Sequence, residues 1–220
     1  MSARDRDGIP GIPGIPGIPG ISGIVLAGGR SLRFGADKLT TEVAGRPLLH
    51  HAIEALAAMS DEVVVVVGAD AVPPLPGAVG VPLRVVRDEE PGAGPLGGLL
   101  TGLREARGSM VVLVGGDMPA LVPGLLRELA SRAAADGVDA AVLRDGDSPR
   151  PLPSAFRRDA ALAAAAGVRA AGGSSLRALL AALRVAEITE AVWRRLDPEG
   201  ASLVDVDRPE DLDRLRGPAR

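Results

Sequence analysis

Two runs in which every position is apolar, Val63–Val67 and Val111–Val114, restrict this chain more than any other feature of it. Successive residues of a strand point to opposite faces of the sheet, so a strand that is apolar throughout must be covered on both faces. A one-sided antiparallel sheet does not meet that demand. Around these runs, apolar strands and helical stretches alternate: Gly23–Ala27, Pro47–Met59, Glu62–Val67, Leu83–Arg87, Leu96–Ala106, Met110–Val114 and Pro123–Ala134. This is the rhythm of βαβ units. It predicts an α/β fold of three layers, a doubly wound, mostly parallel sheet between two layers of helices.

After Asp136 the pattern loosens. A strand is expected at Asp139–Leu143, a polar turn over 145–148, and an extended proline-rich piece from Pro149 to Phe156. Helices follow at Arg158–Ala166 and Ser174–Leu183, with a strand at Arg184–Ile188. Ser202–Val206 reads as a last strand, and Asp207 with Glu210 resembles a capping box opening a short helix to Leu215. A chain of 220 residues, 46% of them hydrophobic, suits one domain with one core. Because Phe numbers 2, Trp 1 and Tyr 0, that core must be aliphatic.

From Gly8 to Pro19 the chain repeats Gly-Ile-Pro four times and continues as Gly20-Ile21-Ser22. The three-residue period matches a collagen register, yet so few triplets do not hold a triple helix alone. Residues 1–21 are therefore read as a polyproline-like or disordered leader rather than an assembly device, and 22–216 as the domain.

The formal charge is −3, with basic residues scattered among acidic ones. Without a basic stripe or aromatic stacking platforms, nucleic acid is not an expected partner. The absence of Cys removes disulfides, thiolate metal sites and a cysteine nucleophile, and it fits a reducing compartment, with the cytoplasm as default. No run nears the roughly 20 apolar residues of a membrane span, and the N-terminus has no signal-peptide core. A soluble monomer or weak oligomer is expected.

Chemistry concentrates in Leu26-Ala27-Gly28-Gly29-Arg30-Ser31-Leu32-Arg33-Phe34-Gly35-Ala36-Asp37-Lys38, directly after the first strand. Gly28 and Gly29 let the backbone approach a ligand and turn N–H groups toward anionic oxygens. Arg30, Arg33 and Lys38 add positive charge on side chains long enough to converge there. Ligands of open α/β sheets bind outside the carboxyl ends of strands, which is where this loop starts. It is neither the Gly-Lys-Ser/Thr phosphate loop nor Gly-x-Gly-x-x-Gly, which weakens kinase and dehydrogenase readings.

Asp117 follows an all-apolar strand between Gly116 and Pro119, at a turn where a carboxylate, with substrate phosphates, suits Mg²⁺. Asp205 has the same posture after Ser202–Val206, either as a second metal ligand or as the end of a strand; Asp207 is read as a helix cap. His50 and His51 lack any metal-ligand spacing and are read as surface or boundary residues. Ser174-Ser175 caps the following helix or meets an acceptor phosphate.

The opening loop, with Phe34-Gly35, Asp37-Lys38 and Gly45-Arg46-Pro47-Leu48, resembles the N-terminal motif of the molybdenum cofactor guanylyltransferases, MobA-like members of the nucleotidyltransferase superfamily. The likeness continues through Arg87-Asp88, Gly94-Pro95-Leu96-Gly97-Gly98 and Gly116-Asp117-Met118-Pro119 to Asp205-Val206-Asp207-Arg208-Pro209-Glu210-Asp211-Leu212. Where the family usually has Asn, this chain reads Val64-Val65-Val66-Val67-Gly68.

The resemblance implies a Rossmann-like nucleotidyltransferase fold and transfer of GMP from GTP to molybdopterin with release of pyrophosphate. By it Leu26, Ala27 and Gly28 would hold the nucleotide, Lys38 its phosphates, Asp88 the nucleoside side, and Asp117 both nucleotide and Mg²⁺; the loop chemistry adds Gly29 to the nucleotide's backbone contacts and Arg33, with Lys38, to the departing pyrophosphate. Alternatives are a cytidylyltransferase for the same cofactor, a guanylyltransferase for another phosphorylated small molecule, and a nucleotide-binding regulator without turnover.

Overall fold

Valines 63 to 67 form the strand that the sequence requires, and the pleat sends them alternately into two cores. Val63, Val65 and Val67 pack with helices on one side of the sheet, Val64 and Val66 with helices on the other. The computed structural model describes residues 20–28, 40–88, 94–206 and Asp211. Nine strands and six α-helices occur among them: β1 Ile21–Ala27, β2 Glu42–Val43, β3 Arg46–Pro47, α1 Leu48–Ala57, β4 Glu62–Val67, β5 Leu83–Arg87, α2 Pro95–Glu105, β6 Met110–Gly115, α3 Pro123–Ala133, β7 Ala140–Asp145, β8 Ser148–Arg157, α4 Arg158–Ala170, α5 Leu176–Ala181, β9 Val185–Ile188 and α6 Glu190–Trp193.

Seven strands make one sheet in the order β5-β4-β1-β6-β8-β7-β9, and β2 with β3 forms a small separate hairpin. β1 pairs in parallel with β4 on one side and β6 on the other. The β4–β5 and β7–β9 pairs are also parallel, and β8 alone runs against its neighbours. From β1 the chain steps outward to β4 and β5, then returns through α2 to β6. The carboxyl end of β1 is thus the point where the strand order reverses, the usual ligand crevice of such sheets. The three-layer, doubly wound expectation holds, with α1 and α3 over one face and α2, α4 and α5 over the other.

Close packing of α2 on the sheet depends on two glycines a turn apart. A Cβ on Gly102 would lie 2.9 Å from Ile24 Cγ2, and one on Gly98 would lie 3.3 Å from Leu26 Cδ2. The helix therefore sits low over β1 and β4, which brings its first turn level with the strand ends. Among the described residues no helix is long and apolar enough to cross a membrane.

Three expectations need correction. Ser202–Val206 is not a strand: Ala201–Leu203 forms a 3-10 turn. Gly200 enters the turn at φ 69°, and the Asp197 carboxylate accepts the N–H groups of Ala201 and Ser202 at 2.9 and 2.8 Å. Such local side-chain bonds compete with a sheet ladder, and the Ser202 hydroxyl, which accepts the Val122 N–H at 2.9 Å, fixes the outcome. Ile21, placed in the leader, is buried in β1 and opens the domain one residue earlier. The helix expected over Ser174–Leu183 is shorter, Leu176–Ala181, with the Ser175 hydroxyl accepting the Ala178 N–H at 3.1 Å as its cap. The rest of the leader and the capping box at Asp207 and Glu210 lie outside the described residues.

Candidate functional site

Backbone bonds beyond the ladders join the carboxyl end of β6 to β1 and that of β5 to β4. The Gly116 N–H donates to Leu26 O at 2.9 Å, and the Asp88 N–H donates to Val67 O at 2.8 Å. Gly28 stands beside the end of β4, where a Cβ would come 3.5 Å from Gly68 N. Above Leu26, a Cβ on Gly98 would lie 3.9 Å from Asp88 Oδ2. The crevice therefore gathers Leu26, Ala27 and Gly28 with Asp88 and Asp117, from three segments far apart in sequence. Gly29, Arg30, Arg33 and Lys38 lie outside the described residues.

Asp117 is half-buried in the turn that leaves β6. Its Oδ1 fills the space above Gly115, where a Cβ would sit only 2.4 Å from that oxygen. The Gly115 N–H points at Met118 Sδ, 3.3 Å away, which tightens the same turn. Sequence reasoning overlooked Gly115, although a glycine two residues before a candidate metal ligand was the available signal. Its place is explained by the carboxylate folded back over it.

The segment that carries Asp205 arrives beside the Asp117 turn by a route other than the expected strand. The Val206 N–H donates to Asp117 O at 2.9 Å, so the segment that carries Asp205 lies against the Asp117 turn. Val206 is buried while Asp205 is exposed. The donor chemistry fits a hard divalent cation, because both side chains offer only carboxylate oxygens. Among the described residues no group of three His, Cys, Asp or Glu side chains is placed to hold a metal. Further ligands would come from phosphate and water, as is usual for Mg²⁺.

Residues 23–189 match the MobA-like NTP transferase domain family. A probable molybdenum cofactor guanylyltransferase from Chloroflexus aggregans is 36% identical over 195 residues, covering 86% of this chain and 90% of that protein. The chain belongs to the MobA-like NTP transferase family. It is accordingly a nucleotidyltransferase, and its fold is found in solved relatives. Molybdopterin-guanine dinucleotide biosynthesis protein A from Archaeoglobus fulgidus superposes with a TM-score of 0.72 at 22% identity, over 88% of this chain and 95% of that one. The Mycobacterium tuberculosis protein Rv0371c superposes with a TM-score of 0.62 at 24% identity over 90% of this chain and 97% of that one, and its complex with manganese with 0.59 at 22% identity over 89% and 97%.

Two buried carboxylates of this MobA-like transferase, Glu62 and Asp139, are held at the opposite ends of the strands. Glu62, at the start of β4, accepts hydrogen bonds from Ser22, the Arg107 N–H and Arg84. Burial alone would raise its pKa, but the bonds from Arg107, Ser22 and Arg84 outweigh it and the net shift is downward. Asp139, before β7, is held down to about 2 by side-chain and backbone hydrogen bonds from Arg184. These groups fasten strand starts and face away from the crevice. His51 is likewise structural, its Nε2–H donating to Val43 O at 2.9 Å and tying α1 to the hairpin.

Proposed function

We propose that the protein transfers GMP from GTP to molybdopterin and releases pyrophosphate. The observation that carries this reading is the position of Asp117. Its carboxylate stands at the reversal point of the sheet, beside the end of the strand that feeds the Gly28–Lys38 loop, in a chain of the MobA-like family. In the reaction an acceptor phosphate oxygen attacks the α-phosphorus of GTP. A new P–O bond forms, the bond to the bridging oxygen of the β-phosphate breaks, and that oxygen leaves with its electron pair on pyrophosphate. No protein nucleophile is needed.

Asp117, with Asp205 as second ligand, would hold Mg²⁺, which when bound neutralises charge around the α- and β-phosphates. Backbone groups of Leu26, Ala27, Gly28 and Gly29 hold the nucleotide, with Asp88 toward the nucleoside. Lys38 and Arg33 steady the departing pyrophosphate, and this positioning and charge neutralisation supply most of the rate. Val67-Gly68 stands where the family usually carries Asn, so base and ribose contacts there fall to the backbone.

Pyrophosphate release measured with GTP, CTP, ATP and UTP, each with and without molybdopterin, tests the reading. Release with GTP that depends on molybdopterin is expected. Faster acceptor-dependent release with CTP would make the protein a cytidylyltransferase, and no release with any pair would leave only nucleotide binding.

A further inference from the structure

Two segments of the second half, 150–152 and 175–177, converge with Pro95 and Asp205 on one cavity of about 370 Å³. That volume is within the usual range of small-molecule sites, roughly 300–1,000 Å³. Arg150 and Leu152 of β8 form one wall, Leu176 and Arg177 of α5 another, and Pro95 of α2 with Asp205 complete it. The loop before α5 is seated against the start of α2: the Leu96 N–H donates to Ser174 O at 3.3 Å. Only glycine suits position 94 there, because its φ is +74° and a Cβ would lie 2.7 Å from Ser174 O.

The cavity adjoins the reaction site through one short segment. Arg150 Nη2 donates to Leu203 O at 3.0 Å, and three residues on, the Val206 N–H donates to Asp117 O. Residues 203–206 are therefore a wall shared by the cavity and the Asp117 turn. Two guanidinium groups face one carboxylate around the cavity, so its net charge is positive. Arg177 is exposed and makes no hydrogen bond or ion pair with another described residue. A free planar fork of donors at a cavity mouth suits bidentate contact with a phosphate. Pro95, Leu152 and Leu176 supply apolar surface for the body of a ligand. Another cavity of similar size, about 390 Å³, lies by the last turn of α1 against residues 76–79 and has Glu54 as its charged wall, which does not suit an anion.

We infer that this cavity is the acceptor subsite and that Arg177, assisted by Arg150, binds the phosphate of the acceptor while the apolar wall holds its ring system. The inference rests on the guanylyl-transfer reading and adds the residues that select a phosphorylated acceptor. Arg177 is a binding residue, so its loss acts on acceptor affinity and not on nucleotide affinity.

Arg177→Ala, Arg177→Glu and Arg177→Lys are compared with the parent chain by initial rates, varying molybdopterin at saturating GTP and then GTP at saturating molybdopterin. Arg177→Ala is expected to raise the KM for molybdopterin about 10- to 100-fold, the loss typical of a charge-assisted bond. The KM for GTP should move less than about twofold, Arg177→Glu should be worse than Ala, and Arg177→Lys should recover part of the loss. An unchanged molybdopterin KM, or an equal rise in both KM values, overturns the assignment. A second arm does not need turnover: phenyl phosphate is titrated against the GTP-analogue-saturated protein and followed by ³¹P NMR. Binding that Arg177→Glu abolishes supports the subsite even if molybdopterin proves not to be the acceptor; no binding to the parent, or equal binding to both, overturns it.

Discussion

Replacing Gly115 by Ala should damage turnover while sparing the fold. Gly115 is a strand residue without a positive φ, so Ala is acceptable to the backbone there. The new Cβ would lie 2.4 Å from Asp117 Oδ1, where ordinary structures essentially never show less than 3.0 Å. The carboxylate must therefore retreat by roughly 0.6–1.0 Å, and a misplacement of about 1 Å in a catalytic arrangement costs on the order of 100-fold in rate. We expect kcat/KM for GTP to fall about 10- to 100-fold, equivalent to about 1.4–2.7 kcal/mol. Stability should change by less than about 1 kcal/mol, since the entropic gain of Gly→Ala in the unfolded chain offsets part of the contact strain. The assay is acceptor-dependent pyrophosphate release across a magnesium titration, with thermal melting alongside. Parent-like kcat/KM at parent-like magnesium demand would refute the placement of Asp117 in the reaction site.

Lys38→Ala should weaken GTP use by about tenfold or more at unchanged melting temperature, because a charge-assisted phosphate contact contributes about 1.5–3 kcal/mol against about 0–1 for an exposed ion pair; parent-like kinetics would remove Lys38 from the nucleotide loop. Deleting residues 2–19 should leave melting and kinetics unchanged, whereas deletion through Ile21 should lower the melting temperature, since Ile21 is buried and its N–H donates to Asp61 at 2.7 Å. Asp139 is ionised at lower pH in the folded chain than in the unfolded one, where the ordinary value is 3.8, so its stabilisation is present above about pH 4 and is lost as pH falls toward about 2. Melting scans should show the parent losing more stability over that window than Asp139→Asn, and equal losses would contradict the pairing with Arg184.

Much of the fold was legible because its central strands carry their own evidence. Glu62–Val67 and Leu83–Arg87 fall where the sequence puts them; in the first, a run of valines buried on both faces has few other structures open to it, and the second, half-exposed, pairs beside it as the edge strand. The hairpin of β2 and β3 escaped notice because each strand has two residues, too short for any period. β8 was read only as an extended proline-rich piece, yet it lies inside the sheet. Its proline-free half, Ser154–Arg157, pairs with β6, and its proline half meets β7 alone, beyond an irregularity at Val142/Leu143. Proline lacks the N–H that a second neighbour would need, so that half is left open to the cavity at Arg150. Of the site, Leu26–Gly28, Asp88 and Asp117 could be picked out by motif and strand-end position. The fold of the 197–206 segment against the Asp117 turn and the approach of Arg150 and Arg177 to one cavity depend on the meeting of distant segments that no local pattern encodes.

A crystal of the full chain with a non-hydrolysable GTP analogue and Mn²⁺, examined by anomalous scattering, would locate metal and nucleotide directly. A manganese peak bonded to the Asp117 carboxylate and to a phosphate oxygen of the nucleotide, above the carboxyl ends of β1 and β6, is the predicted result. A nucleotide bound elsewhere, or a metal held without Asp117, would contradict the assignment of this crevice as the site of guanylyl transfer.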